Sequence, residues 1–539
     1  MIKIAGTDLM TVRVLIWIIM LAAGGLSGCA SLPPGSDFQK TATTALAHPA
    51  LTPLGQKFDV AARKHDDNSG FRIIPVGADG FLIRMQMINA ATRTLDLQYF
   101  IFHQDNTGQL LTDAVLRAAD RGVRVRVLID DGEMRAEDAQ VLALTAHPLI
   151  DIRIFNPFSY RGYNPVLRSL DFIIDAKRLD YRMHNKLLVV DNTVALVGGR
   201  NIGDRYFQID PDSQVADDDV FVAGPLTQKL SATFDDYWNS NMAIPVEALS
   251  PEKTSLAAFI QFRSVLNKRN PQLKADGFDY IKRLASGEPF AGIMSGALPL
   301  VWAQAQVVCD SPDKKEVAEG KMGGSLMQLQ VEEAVLGVNS ELLMITPYLI
   351  PGKDGMRIFK TLRQREVHVR ILTNSLGTTP VLLAQAGFMH YQIPLLEEGI
   401  QLYEIRSLLG NTRGSGETKA ISRYGNYSLH AKLYVFDRKK VFIGSMNFDQ
   451  RSLHLNTEIG LIIDSPVLAQ QIATRFNEMT SPVNAYQLML QPDDTGTPRL
   501  LWHTSEDGQT VEYETEPARS AWQRFKADCL SLLPLDKEL

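Results

Sequence analysis

The sequence predicts an α/β protein made of two homologous sandwich domains packed with pseudo-twofold symmetry around one cleft. Three observations support this. A strand–helix–strand pattern occurs twice. A His-x-Lys motif follows each copy at nearly the same distance. An acidic residue then follows each motif at the same offset from a turn.

The strand–helix–strand units come first. One reads TLDLQYFIF (94–102), then Gly108, LLTDAVLRAADRG and VRVRVLIDD. The other reads ELLMITPYLI (341–350), then Gly355, MRIFKTLRQRE and VHVRILTNS. Apolar residues three and four apart predict the helices, and β-branched runs predict the strands. Such units imply parallel pairing with a right-handed crossover.

The register then continues. Leu128 lies 56 residues before His184, and Leu372 lies 58 before His430. The phrases MHNKLLVVDNTVALVGGRN (183–201) and LHAKLYVFDRKKVFIGSMN (429–447) match at every key position. Each predicts a strand pair joined by a polar turn, with His and Lys near its start. Residues i and i+2 of a strand share a face, so His184 and Lys186 project together, as do His430 and Lys432. Asn201 and Asn447 follow the turns at Gly198-Gly199 and Gly444-Ser445, where small residues admit close backbone. Asp217 stands seven residues before Gly224, and Glu458 seven before Ser465.

These residue types suit a phosphate diester. Lysine and asparagine donors can surround the non-bridging oxygens as charge develops there. One histidine can attack phosphorus, and the other can move the proton of the leaving and entering alcohols. Asp217 and Glu458 are the candidates for the carboxylate behind each histidine. No metal or other cofactor is required. Asp191 and Asp437 end their strands before a turn, which predicts a structural role in bonding backbone N–H groups. His103, His147, His390 and His454 have no duplicate partners and read as packing or surface residues.

The 539 residues divide into 60–245 and 326–539, with a connector at 246–325 and a tether at 30–59. The connector and residues 375–425 are expected to line the cleft. The segment LLAQAGFMHYQIPLL (382–396) reads either as a lipid-contacting helix or as a buried one. The tail predicts a hairpin at Asp507-Gly508 and a closing helix. A net charge of −6 argues against a general nucleic-acid binder. Three cysteines make neither a disulfide framework nor a zinc cluster, and pairing of Cys309 with Cys529 stays open. Lys3 and Arg13, the apolar run Val14–Ala23 and the small-residue exit describe a secretory signal over 1–29. Its ending, Leu26-Ser27-Gly28-Cys29, resembles a bacterial lipobox, which implies lipidation of Cys29 and an envelope enzyme facing the periplasm.

The duplicated pattern His-x-Lys-x4-Asp-x6-Gly-[Gly/Ser]-x-Asn resembles the signature of the phospholipase D superfamily. The phrases LDLQYFIFHQDNTG, RGVRVRVLIDD, IRIFNPFSYR, RMHNKLLVVDN, GGRNIGDRYF, FDDYWNS, HAKLYVFDRKKVFIGSMNFDQRS and LNTEIGLIIDSP are similar to the cardiolipin synthase C group within it. The closing ETEPARSAWQRF and LLPLDKEL fit as well. The resemblance implies transfer of a phosphatidyl group from a phospholipid such as phosphatidylethanolamine to phosphatidylglycerol. It implies His184 as nucleophile and His430 as acid/base, roles that the symmetry could exchange. A phospholipase D that transfers to water is the alternative. Nucleic-acid cleavage is disfavoured by charge and anchoring, and a non-catalytic envelope protein by two uneroded motifs.

Overall fold

The computed structural model describes residues 32–134, 138–209, 214–250, 253–273, 279–284, 287–407, 427–492 and 496–533. The signal segment with Cys29 lies outside the described residues, as does 408–426.

Among the described residues, nine strands form in the first half. They are β1 (Ser69–Ile74), β2 (Thr94–Tyr99), β3 (Arg124–Asp130), β4 (Ile150–Phe155), β5 (Leu187–Val190), β6 (Val194–Gly198), β7 (Gln214–Ala216), β8 (Asp219–Ala223) and β9 (Ala243–Pro245). All but β7 form one sheet in the order β9-β4-β3-β2-β5-β6-β8-β1. The second half adds β10 (Val301–Cys309), β11 (Glu341–Ile345), β12 (His368–Asn374), β13 (Gln401–Ile405), β14 (Tyr427–Leu429), β15 (Leu433–Phe436), β16 (Lys440–Gly444), β17 (Ile459–Asp464), β18 (Ala485–Pro492), β19 (Pro498–Glu506) and β20 (Gln509–Tyr513). Its sheet repeats the first as β18-β13-β12-β11-β15-β16-β17-β10. In both halves the strand–helix–strand units pair in parallel, β2 with β3 and β11 with β12.

Strand β10 joins the two sheets. Residues 301–303 pair with β1, and 304–309 pair with β17. It is therefore the second half's counterpart of β1, although it falls inside the stretch read as a connector. The described helices of that stretch pack on the first half instead of lining the cleft. Its helices Leu256–Leu273, Asp279–Leu284 and Pro289–Ser295 bring Phe259, Leu266, Ile281, Phe290 and Ile293 into the first half's own core. Residues 41–46, read as a tether, are also fastened down. Arg126 and Arg153 take the carbonyls of Thr43 and Thr41, and Asn192 takes that of Leu46. A proline- and threonine-rich stretch has free carbonyls, and buried arginines need acceptors.

Alternation along the strands builds two-sided cores. Leu188 and Val190 of β5 face the first half's outer core, while Leu187 and Val189 face a core shared by both halves. β15 repeats this, with Leu433 and Val435 in the shared core and Tyr434 and Phe436 in the outer one. Helices Leu226–Asn239 and Pro466–Met479 supply Leu230, Phe234, Leu468 and Ile472 to the shared core. The halves thus bury their inner faces against each other, which fixes their mutual placement.

The two motif aspartates hold turns. Asp191 and Asn192 have φ of 51° and 50°, and Asp437 and Arg438 have 51° and 54°. The Asp191 carboxylate accepts from the amides of Thr92, Arg93 and Thr94 at 2.7–3.2 Å. Asp437 accepts from Asn339, Ser340 and Glu341 at 2.7–3.2 Å. Each therefore ties its turn to the start of β2 or β11. Asp191→Ala should cost about 3 kcal/mol in denaturant unfolding, and the less buried Asp437→Ala about 1–2 kcal/mol, because the orphaned amides lose their acceptor. Turnover per folded molecule should stay within about twofold of wild type, since neither carboxylate reaches the histidines.

The Asp507-Gly508 hairpin joins β19 to β20, and a helix at Ala521–Ser531 closes the chain. Helix Leu382–Glu397 buries Ala384, Phe388 and Leu395 and packs against that closing helix, which favours the buried reading for that face. Cys309 is buried and Cys529 exposed, both as free thiols. Among the described residues, no helix is long and apolar enough to cross a membrane.

Candidate active site

Residues 184–186 and 430–432 run just ahead of β5 and β15 instead of lying within them. Their backbone partners come from the opposite half. The His184 N–H donates to Thr457 O at 2.9 Å, and the Thr457 N–H to Arg182 O at 2.9 Å. The His430 N–H donates to Ala216 O at 2.7 Å, continuing the parallel pair of β14 with β7. Thr457 and Ala216 immediately precede Glu458 and Asp217. Each histidine is therefore threaded beside the carboxylate of the other half. His184 Nδ1 lies 2.9 and 3.0 Å from the Glu458 oxygens, and His430 Nδ1 lies 2.6 Å from Asp217 Oδ2.

Both pairs are enclosed. His184 is 6% exposed and His430 8%, while Asp217 and Glu458 are fully buried. Phe100 stands edge-on to His184 at 5.0 Å, and Tyr206 to His430 at 5.7 Å. Lys186 Nζ donates to His184 O at 2.6 Å, and Lys432 Nζ to His430 O at 2.5 Å. Each ammonium thus stays beside its histidine without a carboxylate in contact.

The Gly-Gly and Gly-Ser turns differ for a physical reason. A Cβ on Gly198 would meet Asp218 O at 2.3 Å, and one on Gly444 would meet Ile459 O at 2.5 Å, so both turns need glycine there. At the next position, a Cβ on Gly199 would sit 2.2 Å from Asp217 Oδ1. The second half instead carries Ser445, whose hydroxyl donates to Glu458 Oε2 at 2.5 Å. Gly199→Ala should push Asp217 away from His430. We expect about a 100-fold loss of turnover and an unfolding penalty of 1–3 kcal/mol from overpacking. Steady-state kinetics beside thermal melts would check this.

Glu458 is held more firmly than Asp217. The Ser452 hydroxyl donates to Oε1 at 2.9 Å, and the Glu458 N–H donates to Asp310 Oδ2 at 3.0 Å. Lys314, also buried, donates to Asp310 Oδ2 at 3.0 Å and to the carbonyls of Ser452 and Asn456 at 2.8 Å. Sequence reading missed Asp310, Lys314 and Ser452 as members of this network. They have no duplicates in the first half, so the repeat carried no signal for them. Asp130 and Asn374 were missed as well, and here the repeat did carry one. Asp130 accepts from Met183 N–H at 2.8 Å, and Asn374 from Leu429 N–H at 2.9 Å, one residue before each histidine. They end the equivalent strands β3 and β12.

Burial governs the electrostatics. It lowers both histidines well below 6.5, and the lysines of both halves push in the same direction. Burial also raises Asp217 and Glu458 to about 7, against the pull of Lys432 and Lys186 respectively. Lys186 falls well below 10.5 and Lys432 to about 8, again through burial. A pocket that disfavours charge on every member is poised for an anion, which would restore the cationic forms.

The structure brings His184, Lys186, His430, Lys432, Asp217 and Glu458 into one site. The asparagines differ from each other. Asn201 is engaged, its Oδ1 accepting from Ile101 N–H at 3.2 Å and its Nδ2 donating to the Tyr206 hydroxyl at 2.9 Å. Asn447 keeps a buried Oδ1 without a hydrogen-bond partner.

The family model "Cardiolipin synthase, PLD-like domain" matches residues 85–238 and 335–480, one match for each half. Cardiolipin synthase C of Escherichia coli is 35% identical over 478 residues, covering 88% of this chain and 97% of that protein. An uncharacterized protein of Helicobacter pylori is 28% identical over 524 residues, covering 97% of this chain and all of that one. Phosphatidylserine synthase of Haemophilus influenzae shares the fold, with a TM-score of 0.50 at 13% identity over 80% of this chain and 92% of that one. The two family matches enclose both histidine motifs and both carboxylates, and the chain belongs to the phospholipase D-like cardiolipin synthase family of enzymes.

Proposed function

We propose that the enzyme is a phosphatidyltransferase that makes cardiolipin from a phospholipid donor and phosphatidylglycerol through a covalent phosphohistidine. The observation that carries this reading is the pair of crossed His–carboxylate contacts in one buried, lysine-lined pocket. Where the carboxylate is ionised it accepts from Nδ1, which leaves the Nε2 lone pair free to attack or to take a proton. His184, whose Glu458 is fixed by two serines, is assigned as nucleophile, and His430 as acid/base.

In the first step the His184 Nε2–P bond forms and the P–O bond to the donor's headgroup alcohol breaks. His430, in its protonated form, gives its proton to that alcohol. In the second step His430 takes the proton of a phosphatidylglycerol hydroxyl. That oxygen attacks phosphorus, the P–N bond breaks, and His184 is regenerated. Lys186 and Lys432 neutralise the non-bridging oxygens throughout, and the Asn447 side-chain N–H would donate to one of them. Asp217 and Glu458 stabilise each imidazolium as it forms. The phospholipid substrates and the lipobox ending at Cys29 together support an envelope enzyme held on a bilayer from the periplasmic side.

The sign of the pH dependence follows from the shifts. His184 must be neutral to attack, and burial keeps it neutral below 6.5. The acid limb of kcat/KM should therefore follow the Glu458 carboxyl, which must be ionised to support His184, with its midpoint near pH 7. Lys432 loses its charge as pH rises through about 8, and His430, neutral in the empty pocket, carries its proton beside the bound anion, so kcat should fall above about 8. A pH–rate profile checks both limbs, and full kcat/KM retained at pH 5 would contradict the assignment.

The function itself is tested with purified enzyme and labelled phosphatidylglycerol, with and without phosphatidylethanolamine. Cardiolipin as product supports the reading. Phosphatidic acid alone would show transfer to water and overturn it.

A further inference from the structure

Helix Pro165–Ile174 has no buried residue. Its apolar side chains nevertheless follow the spacing of a core-facing stripe: Val166, Leu167, Leu170, Ile173 and Ile174. All five are exposed, Ile173 by 70%. The closing helix Ala521–Ser531 carries a second such surface, where Trp522, 64% exposed, stacks on exposed Phe525 at 5.4 Å.

The two surfaces occupy equivalent places. The first hangs from the loop that follows β3, where Arg168 donates to the carbonyls of Asp131 and Gly132. The second hangs from the loop that follows β12, where Gln523 and Arg519 donate to the carbonyls of Leu376 and Gly377. The last residues of those strands, Asp130 and Asn374, hold the backbone just before His184 and His430. Gly132 also lies against Phe100, the ring edge-on to His184. An apolar surface is therefore fastened to the loop beside each histidine's strand partner, one from each half.

Their charges point to one partner. Exposed Lys177 and half-buried Arg168 accompany the first stripe, while its acids turn to the protein: Asp171 accepts from Tyr160 N–H and Asp175 from Arg178. On the second, Arg519, Arg524 and Lys526 outnumber Asp528, and Lys526 Nζ sits 6.0 Å over the Trp522 ring. Aliphatic and aromatic side chains rimmed by cations match the apolar boundary and anionic headgroups of a bilayer.

We propose that helices Pro165–Ile174 and Ala521–Ser531 form a paired docking surface that seats the cleft on an anionic phospholipid bilayer. It rests on the reading that the substrates are phospholipids, and it adds how they reach a nearly closed site. Docking on both sides places the mouth of the cleft at the headgroup layer, so a lipid enters without leaving the membrane.

The test uses the full chain and a variant with Leu170→Asp, Ile173→Asp and Trp522→Ser. Turnover of phosphatidylglycerol in vesicles of equal phosphatidylglycerol and phosphatidylethanolamine should fall at least about tenfold. Turnover of dispersed short-chain phosphatidylglycerol should be unchanged. Equal loss on both substrates, or loss on neither, would overturn the proposal. A second readout needs no catalysis. Vesicles of brominated phosphatidylglycerol should quench the fluorescence that distinguishes wild type from Trp522→Phe. No quenching of that component overturns docking even if transfer is confirmed. Quenching without any phosphatidyl transfer supports docking while rejecting the function.

Discussion

Replacing either His184 or His430 by alanine is expected to lower phosphatidyl transfer by about four orders of magnitude or more, while the fold survives. The two losses should not add, because nucleophile and acid/base act as one unit in a single step. Both histidines sit in one pocket, and each feels the lysines of both halves. The buried carboxylate left behind need not destabilise the variant strongly. With the imidazole gone, burial favours the neutral carboxyl form of Glu458 and Asp217, so no unpaired charge is left behind. Circular dichroism and thermal melts alongside the product assay check this, and substantial activity in both variants would overturn the catalytic assignment.

Glu458→Gln and Asp217→Asn should each lower kcat by about 10³-fold, with KM little changed. An amide turns an N–H toward Nδ1 or offers a weaker acceptor, so the imidazole loses both its fixed tautomer and its counter-charge. The effects should then separate by substrate. An aryl phosphodiester has a leaving group that needs no proton. Asp217→Asn, which disables the acid beside it, should keep a burst of aryl alcohol release with that substrate. Glu458→Gln, which disables the nucleophile across the interface, should lose the burst. The opposite pattern would exchange the roles of the two histidines, and retained kcat in both variants would remove the carboxylates from the mechanism.

That separation depends on a crossing the sequence does not display. The repeat places His184, Lys186, Asp217 and their counterparts at matching positions, because strand alternation and turn chemistry are local. It also reveals the strand–helix–strand units, since their periodicities are local. Which carboxylate faces which histidine is decided by backbone pairing between halves, Met183 with Thr457 and β14 with β7. Partners some 210 to 270 positions apart leave no mark on local pattern. The same reason hid β10, whose ladder partners lie at 69–71 and 459–464, and the reach of Lys314 to the carbonyls of Ser452 and Asn456. The stripe on Pro165–Ile174 has the spacing of a core helix, and only the packed fold shows that it faces outward.

The central claim is that two homologous halves make one site with two different histidine roles. Rapid acid-free denaturation during turnover, followed by mass spectrometry of the peptides around both histidines, tests it most directly. The account predicts one phosphatidyl adduct per chain, acid-labile, on the imidazole of His184 and absent from His430. Adducts on both histidines of one chain, or none during active turnover, would contradict it.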